Sequence, residues 1–446
     1  MGLTMKNDSI LSDVLALAAL PGDAILAAPL ALARYSLFDW LVVGRAGSTE
    51  PVSRIISDLV LEEGGEPQSS VFGLALKIPS RAAAMANGTI SHALDYDDTH
   101  FGHVGHLSVG VMPAALAIGE AYNLSGKAVL EAFLIGAEAA CRIGMTLGRG
   151  HYEAGFHQTA TAGAFGATIA AGRLMGLSPI EMKMALGIAS TRASGLKSQF
   201  GTMGKPFNAG IAASNGVEAT KLARRGFISC DDGLSGLQGF IPTHSSNSEG
   251  SKAWANPPPD NFVFAENKYK LHACCHGTHA MIEALLRELH ERPRSPDDIL
   301  EVFVTVNPRW LKVCDIKSPR TGLEVKFSYA WLASMVVLGI DTSNDANYQD
   351  DLCSTLSIND FASKVSVAAD STISDMQTKL VLKMRDGSLR ALFFDLAALV
   401  PEQTLADGLV KKAEGLLGTE IAQRIWSAIS SIETLSARDI ASLMNS

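Results

Sequence analysis

The chain has 446 residues, 47% of them hydrophobic and 19% charged, a balance that supports a large packed core and excludes an intrinsically disordered polymer. A net charge of -9 excludes a general affinity for nucleic acid or anionic membrane, which needs clustered Lys and Arg, so any positive charge offered to an anionic substrate must be local. The cysteines at 141, 230, 274, 275, 314 and 353 lack the spacing of a disulfide framework and fit a reducing, cytoplasmic setting.

Met1 to Ser9 carries no basic stretch followed by an apolar run and a small-residue cleavage site, which predicts no secretory leader. From Ile10 to about Phe240 the chain is rich in Ala, Leu and Gly, with apolar residues three and four apart, and reads as all helical. Ser125-Gly126 marks a helix start. The following stretch, Ala128 to Leu147, is the most apolar, yet carries Glu131, Glu138 and Arg142, so it is predicted to be a buried core helix and not a membrane span. Ala160 to Met175 places small residues on several faces, as a crowded interior helix does, and Ser178-Pro179 resembles an N-cap with Pro at the first helical position. Thr243 to Asp260, polar and ending in three prolines, predicts a surface linker near a domain boundary. Beyond it Leu300 to Val306 alternates like a strand, and Lys379 to Met384 with Ser388 to Phe393 flank Asp386-Gly387, a hairpin signal. Glu402 to Ser446 returns to helical periodicity. The expected fold is mainly α with a second α+β domain: residues 1–262 form an all-helical domain completed by 401–446, and 263–400 form the α+β domain.

Four clusters carry chemistry. Ser91 to Ser108 (SHALDYDDTHFGHVGHLS) holds His92, His100, His103 and His106 with Asp95, Asp97 and Asp98. Histidines 100, 103 and 106 at three-residue steps could ligate zinc or iron, although Gly102 and Gly105 place them on a loop. A proton-transfer site is the second reading, because a carboxylate beside an imidazole fixes its tautomer, and a polar loop whose aspartates satisfy backbone donors is the third. His151 to Thr161 (HYEAGFHQTAT) combines Tyr152, Glu153 and His157 just before a helix, where a hydrogen-bonded structural His is the ordinary reading. Lys205, between glycines and Pro206, is placed by a turn as a charge for a carboxylate or as a base, or is a solvated loop lysine. Lys268 to His279 (KYKLHACCHGTH) has adjacent thiols, whereas zinc motifs space them by two or more residues, so buried cysteines beside a site are the better reading. The phosphate loop GxxxxGK[ST], the dinucleotide fingerprint GxGxxG and the GxSxG elbow do not occur.

Taken in order, HALDYDDTH at 92–100, the run from His106 to Gly144, GFHQTATAGAFGATIAAGRLMGLS at 155–178, GTMGKPFNAGIAASNGVEATKLARRGF at 201–227, CCHGTH at 274–279 and KFS at 326–328 resemble the 2-methylcitrate dehydratase (MmgE/PrpD) family, which includes cis-aconitate decarboxylase and iminodisuccinate epimerase. The resemblance implies a helical domain, a smaller α+β lid, a homodimer, a site between the domains, and neither metal nor other cofactor. By motif it places the site on Asp95, Thr99, His106, His157, Lys205, Lys270 and His276, to which His103 is added as a substrate contact and Tyr152 as a proton donor. The chain departs from the family pattern at Gln158 (usually Pro), at Asn208 (usually His), at Tyr329-Ala330-Trp331 (usually Leu-Pro-Tyr), and by one extra residue between Thr99 and His106. With the overall length, these departures resemble the iminodisuccinate epimerase members most. The expected activity is therefore inversion of the α-carbon of that small polycarboxylate by His106, His157 or Lys205, with Asp95 orienting; the alternative is a lyase of the same family.

Overall fold

The computed structural model describes residues 9–445; residues 1–8, on which the expectation about a leader falls, and residue 446 lie outside the described residues. The chain is mostly helical and divides into two compact units, residues up to Tyr269 with those from Leu417 on, and Lys270–Leu416.

The first unit contains α1 (Ile10–Ala18), α2 (Ala27–Gly47), α3 (Pro51–Glu63), α4 (Ser80–Ser91), α5 (Ser108–Ala121), α6 (Gly126–Glu153), α7 (Gln158–Leu174), α8 (Pro179–Arg192) and α9 (Gly204–Ala223). The expected starts are present. Ser125 accepts from the Ala128 amide, and Ser178 and Glu181 form a reciprocal capping box with Pro179 in the first turn. The mutual packing of α4, α5, α7 and α9, and of α6 on α7, makes the core. Small residues set that geometry: a Cβ on Gly136 of α6 would lie 2.5 Å from the Gly166 carbonyl of α7, and one on Gly166 would lie 2.5 Å from the Gly136 carbonyl. Backbone cannot yield as a side-chain tip does. Gly166→Ala is therefore expected to cost about 1–3 kcal/mol, the range of overpacked cores. A urea midpoint equal to that of the unmodified protein would show that the two helices can part.

Thr243 to Asp260 is less irregular than its composition predicts, since it includes the end of α10 (Phe240–His244) and all of α11 (Gly250–Ala253). Arg142 of α6 holds its far end. Its guanidinium donates to the carbonyls of Ala253 (2.6 Å), Asn256 (2.9 Å) and Asn261 (2.8 Å), and Nε donates to Glu138 (2.6 Å), whose carboxylate accepts from the amides of Val263 (3.1 Å) and Phe264 (2.8 Å). Those bonds keep the chain with the helical unit past residue 262, to Tyr269. Helix Thr419–Ser430 rejoins this unit, where Trp426 stacks on Tyr35 at 5.9 Å and meets Phe38 edge-on at 5.0 Å.

The second unit holds a mixed sheet in the order β2-β1-β3-β4, from β1 (Ile299–Val306), β2 (Val365–Ala369), β3 (Gln377–Met384) and β4 (Leu389–Asp395), with α12 (His279–Glu291) packed on β3 and β4. The hairpin forms at the predicted turn: Gly387 takes φ +84°, which suits a residue without Cβ, and the Ser388 amide bonds the Asp386 side chain. β2 pairs parallel with β1, and its five residues VSVAA alternate only weakly in burial, so periodicity did not reveal it. Helix Glu402–Leu417 belongs to this unit through Leu416, and the residues from Leu417 on belong to the first unit. No helix among the described residues is long and apolar enough to cross a membrane.

Candidate active site

The segment between α4 and α5, residues 92–107, carries the first histidine cluster, and buried polar contacts fix its course. Asp98, fully buried, accepts from the Ser108 amide (3.1 Å) and hydroxyl, the Ser36 hydroxyl (3.1 Å) and the Asn267 amide nitrogen (2.7 Å). Burial raises the Asp98 carboxyl against these donors. Thr99 pairs with Lys268 through two backbone hydrogen bonds of 2.8 Å. Two non-glycine residues adopt positive φ here, Asp95 (+52°) and the β-branched Val104 (+56°), a conformation that persists only where the surroundings impose it.

That backbone brings five ionisable side chains into a row. At the closed end His92 Nδ1 meets Asp97 Oδ1 at 2.7 Å; Asp97 Oδ2 meets His106 Nδ1 at 2.8 Å; His106 Nε2 lies 3.5 Å from Asp95 Oδ1; and Lys205 Nζ lies 2.6 Å from Asp95 Oδ2. Exposure grades along the row, from 0% for the His92 and Asp97 side chains to 10% for His106, 15% for Lys205 and 29% for Asp95. The open end is therefore the Asp95–Lys205 pair. Lys205 sits in the first turn of α9 and not in a free turn, so the helix fixes its Cα.

Burial lowers His92 to about 4, outweighing the attraction of Asp97, and leaves the ring neutral near pH 7. Burial alone would push Asp97 up, but His106 and His92 hold it well below the usual carboxylate range, so it is ionised. A carboxylate only accepts, so His92 must present a protonated Nδ1 to Asp97 Oδ1, whereas His106 Nδ1 lies close to Asp97 Oδ2 without hydrogen-bond alignment.

His157, the N-cap of α7, is buried, and burial together with the Lys205 charge holds it well below its ordinary value. Asn208 Nδ2 faces both the Leu196 carbonyl (3.2 Å) and His157 Nδ1 (3.1 Å). A carbonyl accepts only, so the atom facing it is the NH2 group, which makes His157 Nδ1 an acceptor and puts the neutral ring's proton on Nε2.

The remaining expected residues fall as follows. His103 is fully buried, packed against Gly105 and Gly144, and lowered to about 3 by burial. Tyr152 is half-buried under the Lys197 ammonium, 3.7 Å from its ring centre. Lys270 and His276 are buried residues of the second unit, where the His276 ring lies 4.5 Å from that of His279. Gln158 donates from its buried side chain to the Gly144 carbonyl (2.9 Å) beside a break in α6 at Gly148, so its role is to hold helix backbone. Trp331 is buried in helix Tyr329–Val337 of the second unit.

Histidines 100, 103 and 106 do not converge as metal ligands, because His100 Nε2 bonds the Val263 carbonyl (2.8 Å) and its Nδ1 accepts from the His103 amide (2.9 Å). Among the described residues His92, Asp95, Asp97 and His106 are the group close enough to hold an ion, and the Lys205 ammonium supplies a fixed cation to that group through Asp95. Cys274 is a buried thiol raised to about 12 by burial and bonded to Thr278 (3.1 Å). Sequence reading passed over His92 and Asp97 as site residues because nothing in their spacing separates them from the loop aspartates around them; Asn208 was flagged only as a departure.

The buried imidazoles set a pH dependence. His92 and His151 are held at about 4, His103 at about 3 and His157 well below its ordinary value, whereas each titrates near 6.5 when unfolded. Below pH 6.5 the unfolded chain takes up protons that the folded chain refuses, so stability present above 6.5 is lost progressively down to about pH 4. The urea midpoint should fall between pH 7 and pH 5; an unchanged or higher midpoint at pH 5 would contradict neutral buried imidazoles.

The MmgE/PrpD N-terminal domain model matches residues 17–252 and the MmgE/PrpD C-terminal domain model matches residues 272–410. A cis-aconitate decarboxylase-like protein of Aspergillus oryzae is 30% identical over 268 residues, covering 57% of this chain and 56% of that protein. Cis-aconitate decarboxylase of Aspergillus terreus is 30% identical over 269 residues (57% and 54%), and the human protein of that name is 27% identical over 315 residues (68% and 64%). Each match thus spans less than two thirds of the relative's length.

Proposed function

Because the chain belongs to the MmgE/PrpD family, we propose that it is a lyase acting on a small polycarboxylate, with decarboxylation of cis-aconitate as the first candidate. The observation that supports this most is the meeting of Lys205, Asp95 and His106 at the open end of a buried ionic row. In such a reaction the bond to the departing carboxylate breaks, its electron pair stays on carbon and spreads into a neighbouring acid group, and a proton then goes to that carbon. The Lys205 ammonium stabilises the spreading charge in a site with little water. His157, neutral with Nε2 protonated, offers a hydrogen bond to a charged oxygen, and His106 Nε2, bare in the neutral ring, first takes a proton from solvent and then delivers it to that carbon, returning the ring to its neutral form.

Relatives with the cis-aconitate decarboxylase name favour the lyase over the epimerase reading. Epimerisation of iminodisuccinate, by proton exchange at its α-carbon, is a second reading, favoured by the family departures at Gln158, Asn208 and Trp331. Incubation of the full chain with cis-aconitate, 2-methylcitrate and single isomers of iminodisuccinate separates them. Release of carbon dioxide from cis-aconitate supports the first, alkene formation from 2-methylcitrate a dehydratase, and inversion seen by chiral chromatography the second. No change in any of them sinks both.

A further inference from the structure

At the closed end of the row Asp97 and His92 have no exposed side-chain surface, and Asp97 lies between two imidazole Nδ1 atoms at 2.7 and 2.8 Å. The His92 and His106 rings lie 4.5 Å apart at 61°, and the His92 and His157 rings 6.4 Å apart, so His92 fills the space behind both working imidazoles. Two structural facts make Asp97 specific. It contacts His106 on the nitrogen remote from Asp95 and Lys205, and its other oxygen is taken by a neutral imidazole that cannot supply a compensating charge. A neutral imidazole has one proton for two nitrogens; Asp97, at 2.8 Å from Nδ1 and fully buried, is the nearer anion, while Asp95, at 3.5 Å from Nε2, is offset by Lys205, so the proton belongs on Nδ1 and Nε2 is left bare at the open end.

We propose that Asp97, held by His92, is the positioning residue that sets the His106 tautomer, so that His106 meets substrate only through Nε2. Neither residue touches substrate. His157 is set the opposite way by Asn208, so the site contains a matched pair, one imidazole whose Nε2 is bare and one whose Nε2 is protonated, each fixed by a different neighbour. The catalytic part of this assignment rests on the proposed polycarboxylate activity; the tautomer part does not.

The test uses the full chain labelled with 15N at histidine, which reports whether each ring nitrogen is protonated, together with turnover of cis-aconitate. In the unmodified protein at high pH, neutral His106 should show a protonated Nδ1 and a bare Nε2, and His157 the reverse; the opposite pattern at His106 overturns the proposal without any variant. In Asp97→Asn, which keeps the shape of the side chain, the amide can donate to Nδ1, so the His106 proton should move to Nε2 and kcat should fall by at least about a hundredfold while KM changes by less than roughly threefold. His92→Gln, whose amide can still donate to Asp97, should retain the His106 nitrogen pattern. If the tautomer is unaltered in a folded Asp97→Asn protein, or if it shifts and kcat does not, Asp97 is not the positioning residue. Should the unmodified protein leave cis-aconitate unchanged, the activity proposal fails alone and the nitrogen spectra still decide the tautomer.

Discussion

Replacing Lys205 with Ala is expected to lower kcat/KM by roughly a hundred- to a thousandfold, the loss typical of removing one preorganised charge that faces developing negative charge. Lys205 Nζ is the cation at the open end of the row, 2.6 Å from Asp95, and only 15% of its side chain is exposed, so little solvent screens it. Without it the charge of Asp95 would no longer be offset by that ammonium, and its carboxylate would repel the proposed polycarboxylate. Lys205→Arg should restore charge but little turnover, because a broad planar guanidinium cannot occupy the point that a compact ammonium fills. The measurement is steady-state kinetics on whichever acid the unmodified protein converts; Lys205→Ala retaining more than a tenth of kcat/KM would remove Lys205 from the chemistry.

Arg142→Ala should cost the first unit about 3–5 kcal/mol, the largest stability loss expected of a single truncation here, because it leaves a buried charge without its partner. Its guanidinium is 1% exposed and serves four acceptors: Glu138 and the carbonyls of Ala253, Asn256 and Asn261. Burial raises the Glu138 carboxyl and Arg142 opposes that, so the truncated protein would strand an acid in the core. Trp254, whose ring lies 5.4 Å from the guanidinium carbon, provides a local reporter. Urea unfolding followed by fluorescence would register the change, and a loss below about 1 kcal/mol would mean that the linker is held by something else.

The helical half was legible from sequence because its devices are local: Ser125 and Ser178 cap as their positions predict, and the acidic and basic residues of α6 mark it as a core helix satisfied by protein partners. The hairpin was legible for the same reason, since Asp386-Gly387 specifies its own turn. β2 was not, because a five-residue strand pairing parallel to β1 across an intervening stretch depends on tertiary contact alone. The site divides in the same way. Sequence marks the 92–108 cluster, His157 and Lys205 as polar punctuation in an apolar domain, but whether Asp95 or Asp97 lies beneath His106 depends on the left-handed backbone at Asp95, which no period encodes. The role of Asn208 needed its contact with His157 before it acquired a meaning.

The anchoring of Asp98 has a consequence for how such a site can change over evolutionary time. Its carboxylate ties the histidine-bearing segment to Ser36 on α2, Ser108 at the head of α5 and Asn267 just before the end of the first unit, three points far apart in the chain. Sliding the loop to accept a bulkier acid would break all of these ties together, so selection for a new substrate has easier targets in single side chains around the open end than in the path of the loop itself.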